Sequence, residues 1–395
     1  MTAYDVYAGI DVGKSFHWEY ATDATGKRLV SKRLNQDEHQ LDTAFAHLRE
    51  GNKSVLVVVD QPKNIGALTL ACAKRAGCDT MFLPGLAMRR AAGLLPGDAK
   101  TDARDAEVIA MTARTIPDAL RPVSTADPDR AELDALTAWD SDCLQDTTRE
   151  INRLHALLLE CNPMFETALH KHLASPFILA LLTRFGGPWG MRAAGEKKIR
   201  TWAARQHRVP HDLLDDAIRA AWDMDHKPAG TDTREAGPIP ASCARITSLA
   251  AQRKHIETLI DTRLQANTDY HNLLTMPGVG VHTAATVVSL VDITLFPTCD
   301  HLASYAGLAP HTTQSGTSIK GETAARAGNK ALKNALYLSA FASLERDPLS
   351  RAYYDAKRAA GKKHNTAIIS LARRRLKIMY AILRDQTPYR ADLTR

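Results

Sequence analysis

The sequence predicts an α/β domain followed by a longer, mainly helical region. Two observations lead to this prediction. Short apolar runs separated by turns fill the first part of the chain, and apolar residues at helical spacing follow Pro122. The length of 395 residues also exceeds what one hydrophobic core usually serves, so two or more domains are expected.

The first part of the chain has the order β-β-β-α-β-α-β-α. The predicted strands are Val6 to Asp11, Phe16 to Ala21, Leu29 to Leu34, Val55 to Val59 and Thr80 to Leu83, and the predicted helices include Glu38 to Leu48 and Leu68 to Ala76. The Thr22 to Lys27 segment, TDATGK, marks a turn between the second and third strands. This order is the layout of RNase H-like domains, and it predicts such a domain over residues 1–121.

Residues 122–272 are predicted to hold two long helices with an insert between them. Apolar residues recur at heptad-like spacing at Leu144, Ile151, Leu154 and Leu158, and again at Ile246, Leu249, Ile256 and Ile260. An antiparallel pair, a dimerising coiled coil and core packing within one helical domain all explain this pattern. The insert, about residues 162–241, contains the glycine- and proline-rich segments Phe185 to Gly190 and Ala236 to Pro240, and no function follows from its sequence.

A third region, residues 273–345, opens with a helix, a PGVG turn and a second helix over Leu273 to Val291. This is the sequence form of a helix-hairpin-helix, in which Gly278 and Gly280 would present backbone N–H groups to a nucleic-acid phosphate. A plain helical hairpin is the alternative. Residues 346–395 are predicted to form a basic helical tail.

Four aspartates are predicted to form a metal site. Asp11 and Asp60 end two strands that are neighbours in an RNase H-like sheet, and Asp102 and Asp105 are spaced to share one helix face. Carboxylates this close repel unless cations neutralise them, and hard oxygen ligands select Mg²⁺ or Mn²⁺. Taken singly, Asp102 could be a helix N-cap, and Asp60 could form a turn before Pro62.

The basic charge of the chain predicts a polyanionic partner. The formal net charge is +7, and residues 346–395 alone carry 13 Lys or Arg against 4 Asp, a net +9. Arg373, Arg374 and Arg375 in this tail are predicted to bind nucleic acid, as are Lys14, Lys100 and Arg104 beside the acids. A solvated helix face is the alternative for the tail taken alone.

Other features of the sequence narrow the classes of protein. The six cysteines have no CxxC pair, so neither a structural zinc site nor a disulfide framework is expected. No signal peptide or apolar run of membrane-spanning length is visible, which predicts a cytoplasmic protein without a membrane partner. Actin-like and sugar-kinase ATPases also begin with a GIDxG strand, but no repeat of the first half supplies their second phosphate loop.

The ordered set of motifs resembles the insertion-sequence-one-ten family of DEDD transposases, also described as bridge-RNA-guided recombinases. The motifs are GIDVGK, VVVDQP, KTDARDAEVIA, TMPGVG and the segment Tyr305 to Tyr337, and the resemblance spans about Asp5 to Arg121 and Leu273 to Ala342. It implies a RuvC-like metal domain, a coiled-coil linker, a transposase domain with a nucleophilic serine, and a structured noncoding guide RNA that pairs with donor and target DNA.

Carried over by position, the resemblance implies an acid tetrad of Asp11, Asp60, Asp102 and Asp105, and a nucleophile at Ser315. The second acid of the family is usually Glu, whereas Asp60 is one methylene, about 1.5 Å, shorter in reach.

Cations follow Ser315 closely in the sequence and could stabilise charge on a phosphate under attack. The predicted nucleic-acid contacts in this stretch are Lys320, Arg326, Asn329, Lys330 and Lys333. The alternative is a Ser/Thr-rich loop with no chemical role.

The leading interpretation is a DNA recombinase that uses a phosphoserine intermediate and Mg²⁺ in a composite site, assembled as a dimer or tetramer and associated with the nucleoid. A junction-resolving nuclease that uses metal-activated water is the enzyme alternative. A nucleic-acid-binding scaffold without catalysis is the third.

Overall fold

The computed structural model describes residues 3–62, 64–94, 101–123, 128–309, 311–315, 319–323 and 328–391. At 122, 128, 129, 311–315 and 319–323 it describes the backbone alone. The chain divides into two compact units, Met1–Asp127 and Pro128–Arg395.

The first unit is a six-stranded mixed sheet with helices on both faces. Its strands are β1 Val6–Asp11, β2 Phe16–Asp23, β3 Arg28–Asn35, β4 Val55–Val59, β5 Asp79–Phe82 and β6 Arg121–Pro122, and its helices are α1 Glu38–Leu48, α2 Ala67–Arg75, α3 Gly85–Ala92 and α4 Asp102–Thr115. All strands and helices named in the prediction for the first 83 residues are present. The sheet is therefore consistent with an RNase H-like layout.

The strand order is β3-β2-β1-β4-β5-β6. β1, β2 and β3 form an antiparallel meander, whereas β4 and β5 run parallel to β1. The fully buried strand β4 separates two apolar layers: Val57 packs with Phe45 of α1 on one face, and Val58 packs with Ile109 of α4 on the other. Burial on both faces explains why β4 is a continuous run of Val and Leu.

The second unit is mainly helical. Its helices are α5 Pro128–Cys161, α6 Pro163–Leu169, α7 Pro176–Phe185, α8 Pro188–Ala194, α9 Glu196–Ala203, α10 His211–Trp222, α11 Thr231–Ala236, α12 Pro238–Arg263, α13 Thr268–Leu274, α14 Val281–Leu290, α15 Cys299–Tyr305, α16 Lys330–Arg346, α17 Pro348–Ala359 and α18 His364–Asp385. Strands β7 His311–Ser315 and β8 Ile319–Thr323 form an antiparallel hairpin, which the sequence analysis did not predict.

Helices α5 and α12 pack against each other in antiparallel directions within the chain. Three ion pairs follow the two helices in opposite order: Glu132–Arg263 at 2.5 Å, Asp140–Arg253 at 2.7 Å and Glu150–Arg245 at 3.4 Å. The antiparallel pair and core packing within the helical unit are thus both present in the structure, while dimerisation stays a prediction. α12 begins at Pro238, inside the segment predicted to belong to the insert, because proline is tolerated in the first turn of a helix.

Two hydrophobic cores form along this helix pair. Leu154 and Leu158 of α5 pack with residues of α6 to α10, so the insert has a core of its own. At the other end, Ile256 and Ile260 of α12 pack with α13 to α18.

The basic residues 346–391 are part of this second core rather than a separate tail, since α18 buries Ile368 and Met379 there. Among the described residues, no helix is both long enough and apolar enough to cross a membrane.

Candidate active site and nucleic-acid interface

Asp11 and Asp60 lie at the carboxyl ends of two neighbouring parallel strands. Asp11 is the last residue of β1, and Asp60 directly follows β4, in a register that sets the two residues side by side. Because side chains alternate along a strand, Asp11 shares a face with Gly9, and Asp60 shares a face with Val58. Both carboxylates therefore lie on the face of the sheet that α4 covers.

Gly9 allows α4 to approach β1 closely. A Cβ atom at Gly9 would lie 2.3 Å from the Ala106 carbonyl oxygen and 2.5 Å from the Ala110 backbone nitrogen, far inside van der Waals contact. Only glycine fits against a helix backbone at this distance. The close approach brings Asp105, in the first turn of α4, towards the strand end that carries Asp11.

Asp60 lies near the negative charge of Asp105 at this sheet edge. Asp60 is half-buried, and its Oδ1 accepts a hydrogen bond of 3.4 Å from the Val12 N–H. Burial raises the pKa of Asp60, the backbone N–H groups of Val12, Asp60 and Gln61 lower it, and the negative charge of Asp105 raises it further. A divalent cation would offset both the burial and the repulsion, so these residues fit a metal with hard oxygen ligands.

Asp102 is placed differently from the other three acids. It is exposed at the first position of α4, one turn before Asp105. Thr101 is the N-cap of this helix, since its hydroxyl accepts a hydrogen bond from the Arg104 N–H at 3.3 Å. The alternative interpretation of Asp102 as the N-cap is therefore wrong, which leaves its carboxylate available to a ligand.

The cations predicted near the acids have different surroundings. Lys14 is exposed in the loop after β1, and Arg104 is half-buried on α4. Lys100 lies outside the described residues. Of the two cations that the structure describes, Lys14 is the exposed one.

His17 orders the loop that follows Asp11, a role that the sequence analysis missed. It is fully buried, its Nδ1 accepts a hydrogen bond from the Gly13 N–H at 3.2 Å, and its Nε2 lies 3.3 Å from the Thr69 hydroxyl. Burial lowers the pKa of His17, which favours the neutral ring that can accept from Gly13. No sequence signal for this contact exists beyond a histidine in the strand after the loop.

His155, Glu166 and His170 form a second cluster that the sequence analysis did not find. Among the described residues, this is the group of three His, Cys, Asp or Glu side chains whose ligand atoms all lie within 4.8 Å of one another. The Glu166 carboxylate lies 2.6 Å from His155 Nδ1 and 2.9 Å from His170 Nδ1, which are hydrogen-bond distances. The spacing Glu-x-x-x-His was the available signal. The four acids of the sheet edge do not form such a group.

The PGVG segment joins α13 to α14 as a helical hairpin. Gly278 has a φ of +78°, and a Cβ atom there would lie 2.7 Å from the Ser343 backbone nitrogen, so this glycine is required for packing against α16. Gly280 is exposed before the first residue of α14 and has open space around it. Of the two glycines, Gly280 is the one placed to bring backbone N–H groups to a phosphate, and whether it does so stays a prediction.

Ser315 is the last residue of β7, paired with Ile319 across the hairpin. Lys320 follows on β8, opposite Gln314, while Arg326 lies outside the described residues. The side chains of residues 311–315 and 319–323 also lie outside the description. The backbone therefore puts Ser315 at the end of strand β7, and its chemical role stays a prediction.

Asn329 has a structural role that the sequence analysis did not foresee. It is the N-cap of α16: its Oδ1 accepts a hydrogen bond from the Leu332 N–H at 3.1 Å, and its Nδ2 donates to the Tyr305 hydroxyl at 3.0 Å. The structure gives Asn329 a capping role, and its contact with nucleic acid stays a prediction. Lys330 is exposed at the start of the same helix, and Lys333 is half-buried.

The three consecutive arginines of α18 do not form one binding surface. Arg373 lies 3.3 Å from Asp300, and Arg374 stacks over the Tyr353 ring at 4.9 Å. Arg375 is 2% exposed. Successive helical residues point about 100° apart, so three in a row cannot share a face. The prediction that Arg375 binds nucleic acid is wrong.

Arg375 holds three elements of the second unit together. Its guanidinium donates to the Pro277 carbonyl at 2.5 Å and to the hydroxyls of Ser339 and Ser350 at 3.0 and 3.4 Å. These groups belong to the PGVG turn, α16 and α17. Burial lowers the pKa of Arg375 to about 10.

Two family models match the chain and identify it as a transposase of the DEDD class. The model DEDD_Tnp_IS110, described as Transposase, matches residues 8–163, and one described as Transposase IS116/IS110/IS902 family matches residues 270–355. The chain belongs to the IS110 family of transposases.

Three relatives support this assignment, two of them along nearly the whole chain. The chain is 43% identical over 390 residues to the 43.6 kDa protein of insertion element IS110 from Streptomyces coelicolor, covering 98% of this chain and 96% of the relative. It is 32% identical over 397 residues to the 42 kDa protein of insertion element IS900 from Mycobacterium paratuberculosis, covering 99% of each. A pilin gene-inverting protein of Moraxella bovis is 38% identical over 120 residues, 30% of this chain and 37% of that protein. The chain is thus an enzyme that acts on DNA, and DEDD domains typically use divalent metal ions.

Proposed function

We propose that this transposase cleaves and rejoins DNA through a phosphoserine at Ser315, with Mg²⁺ or Mn²⁺ held by the acids of the first unit. The observation that supports the proposal most is that Asp11 and Asp60 share the sheet face that α4 covers, and that α4, which carries Asp105, approaches this face closely at Gly9. Membership of the IS110 family supports the rest.

The metal-binding residues would be Asp11, Asp60, Asp102 and Asp105. When bound, a divalent ion supplies charge stabilisation for a phosphodiester under attack. Asp60 stands where the family usually has the longer Glu, and its carboxylate is held by the Val12 N–H.

The proposed covalent step exchanges one phosphate ester bond of the DNA for a phosphate ester of the serine. The Ser315 oxygen forms a bond to phosphorus and loses its proton, one bridging P–O bond of the DNA breaks, and the departing deoxyribose oxygen takes up a proton. The serine ester keeps the phosphodiester's energy for rejoining. Lys320, Arg326 and Lys333 would stabilise the negative charge that develops on the phosphate.

The proposed partners are donor and target DNA and a structured noncoding guide RNA, bound by a dimer or tetramer of the chain. The net charge of +7 and the exposed Gly280 at the start of α14 support nucleic-acid binding. The exposed Lys14 and Lys330 are candidate phosphate contacts.

A covalent adduct tests the proposal. The protein, its RNA and end-labelled DNA are incubated with Mg²⁺ and denatured, and the label is expected to travel with the protein. Ser315→Ala should abolish the adduct, whereas Ser318→Ala, a serine three residues away, should retain it. Full recombination by Ser315→Ala would refute the serine mechanism. Hydrolysed DNA ends without an adduct would support the nuclease instead.

A further inference from the structure

The insert contains a basic cleft whose charge is not balanced. The cleft has a volume of about 490 Å³ and lies between the ends of α7 and α8 and the exposed side of α9. The cations that line it are Arg184, Lys197, Lys198 and Arg205, and no Asp or Glu lines it. All four side chains are exposed. A cleft of this charge attracts anions.

Glu196, which directly precedes Lys197 and Lys198 in the sequence, is engaged elsewhere. Glu196 pairs with Arg200 at 2.8 Å, and Arg200 also pairs with Asp215 of α10 at 2.7 Å. Within the described ranges, none of the four lining cations has a carboxylate within 4.0 Å. A bound anion would therefore meet no competing carboxylate at these cations.

An aromatic wall adjoins the cations. Trp202 and Phe185 both line the cleft, and their rings meet edge to face with centroids 5.4 Å apart. Trp202 also lies 5.9 Å from Phe177 of the insert core, so the indole is held from behind while it remains half-buried. A fixed indole beside several cations suits a nucleobase that stacks while its phosphates pair with Lys and Arg.

The glycine-rich segment between α7 and α8 fixes one wall of the cleft. The buried Glu235 carboxylate accepts hydrogen bonds from the backbone N–H groups of Trp189 at 2.9 Å and Gly190 at 2.7 Å. A Cβ atom at Gly186 would lie 2.4 Å from the Glu235 carbonyl oxygen. The FGGPWG segment thus wraps tightly around Glu235, which holds Arg184 and Phe185 at the end of α7 in place.

We infer that this cleft binds a segment of single-stranded nucleic acid, with phosphates on the four cations and a base on Trp202. The inference rests on the proposed function only in taking nucleic acid as the partner. It gives the insert a role in gripping an unpaired strand, separate from the acids and from Ser315.

Fluorescence anisotropy with the whole chain tests whether the cations of the cleft bind phosphates. The probes are a labelled 12-nucleotide single-stranded RNA, the matching DNA strand and the DNA duplex, each titrated over a salt series. Lys197→Ala/Lys198→Ala should weaken single-strand binding and reduce the slope of log K against log salt by about 1.4, or 0.7 for each phosphate that the protein no longer neutralises. The control, Lys171→Ala/Arg219→Ala, removes two exposed cations of the insert outside the cleft and should leave the slope unchanged. Equal slopes for both double variants would overturn the inference.

Stacking is tested at Trp202. Trp202→Leu should reduce single-strand affinity about 5- to 150-fold, and Trp202→Phe should recover part of it, since base stacking on an aromatic ring is removed in one and kept in the other. Duplex binding should change little. Equal weakening for duplex and single strand would argue against stacking. The single strand that binds with the higher affinity, RNA or DNA, identifies the natural ligand of the cleft.

Photocrosslinking shows whether the strand lies in the cleft itself. A single strand with 5-iodouracil should crosslink to a peptide that contains Trp202, and this crosslink should persist in Ser315→Ala. Crosslinks that occur only outside residues 184–205 would contradict the inference while leaving the serine adduct test unaffected. If the wild-type protein gives this crosslink but no Ser315–DNA adduct, the serine mechanism is contradicted and the inference about the cleft is not.

Discussion

Gly9→Ala is the substitution that most directly tests how the acid site is built. The new Cβ would lie 2.3 Å from the Ala106 carbonyl oxygen, whereas ordinary van der Waals contact begins at 3.4 Å. The backbone of α4 must therefore retreat by about 1 Å, because the two nearest atoms, the Ala106 oxygen and the Ala110 nitrogen, are backbone atoms that no side-chain rotation can move. Asp105 moves with the helix, away from Asp11 and Asp60.

Two effects of known size follow. Overpacking of this kind costs about 1–3 kcal/mol of folding free energy. A displacement of about 1 Å in a catalytic group can cost roughly 100-fold in rate. Gly9→Ala should thus lower DNA recombination by about two orders of magnitude at a temperature where the protein remains folded.

The assay is strand exchange on plasmid substrates, with thermal unfolding of the same samples. Gly85→Ala is the matched control, since Gly85 begins α3 in the same unit and a Cβ there meets nothing within 4 Å. If Gly9→Ala recombines DNA and unfolds at the same temperature as the wild-type protein, α4 does not depend on Gly9 for its position. A decrease in activity equal to that of Gly85→Ala would lead to the same conclusion.

Two further predictions concern buried polar groups. Arg375→Ala should lower the free energy of unfolding by roughly 2–5 kcal/mol in urea, while Arg375→Met should cost less because it refills the volume, and the neighbouring Arg373→Ala should change it little. Because burial lowers the pKa of His17, its contribution to stability is complete above its ordinary pKa near 6.5 and is lost as the pH falls through the lowered value. His17→Asn, whose Oδ1 can still accept from Gly13, should reduce this loss between pH 7 and pH 5, and an unchanged pH dependence would contradict the assignment.

The elements of the first unit could be predicted because their patterns are local. The run Val55–Val59 is apolar throughout, which predicts a buried strand, and Asp11 and Asp60 follow from the ends of strands. The closeness of α4 to the sheet could not be predicted in the same way. It depends on which residue of α4 meets Gly9, a contact between positions about 100 residues apart, and no periodicity records it.

The hairpin β7–β8 was missed for a related reason. Its strands are short and polar, so they carry neither an apolar run nor an alternating apolar pattern. The start of α12 was missed because AGPIP has the composition of a loop, although Pro238 and Pro240 are compatible with the first turn of a helix. In both cases composition indicated a loop, whereas backbone pairing or helix geometry decided the structure.

The excess of basic residues predicted a polyanionic partner, and DNA is one. The structure changes which of these cations are available to bind it. The excess of Lys and Arg after residue 346 includes Arg375, which is buried, and Arg351 and Arg384, which pair with Asp355 and Asp385. The insert, which the sequence analysis left without a function, contains instead a cleft with four exposed cations and no acid in its lining. Attraction for a polyanion depends on cations that lack nearby counter-charges and share one surface, so a local arrangement of four can matter more than a larger net charge spread around a packed helix.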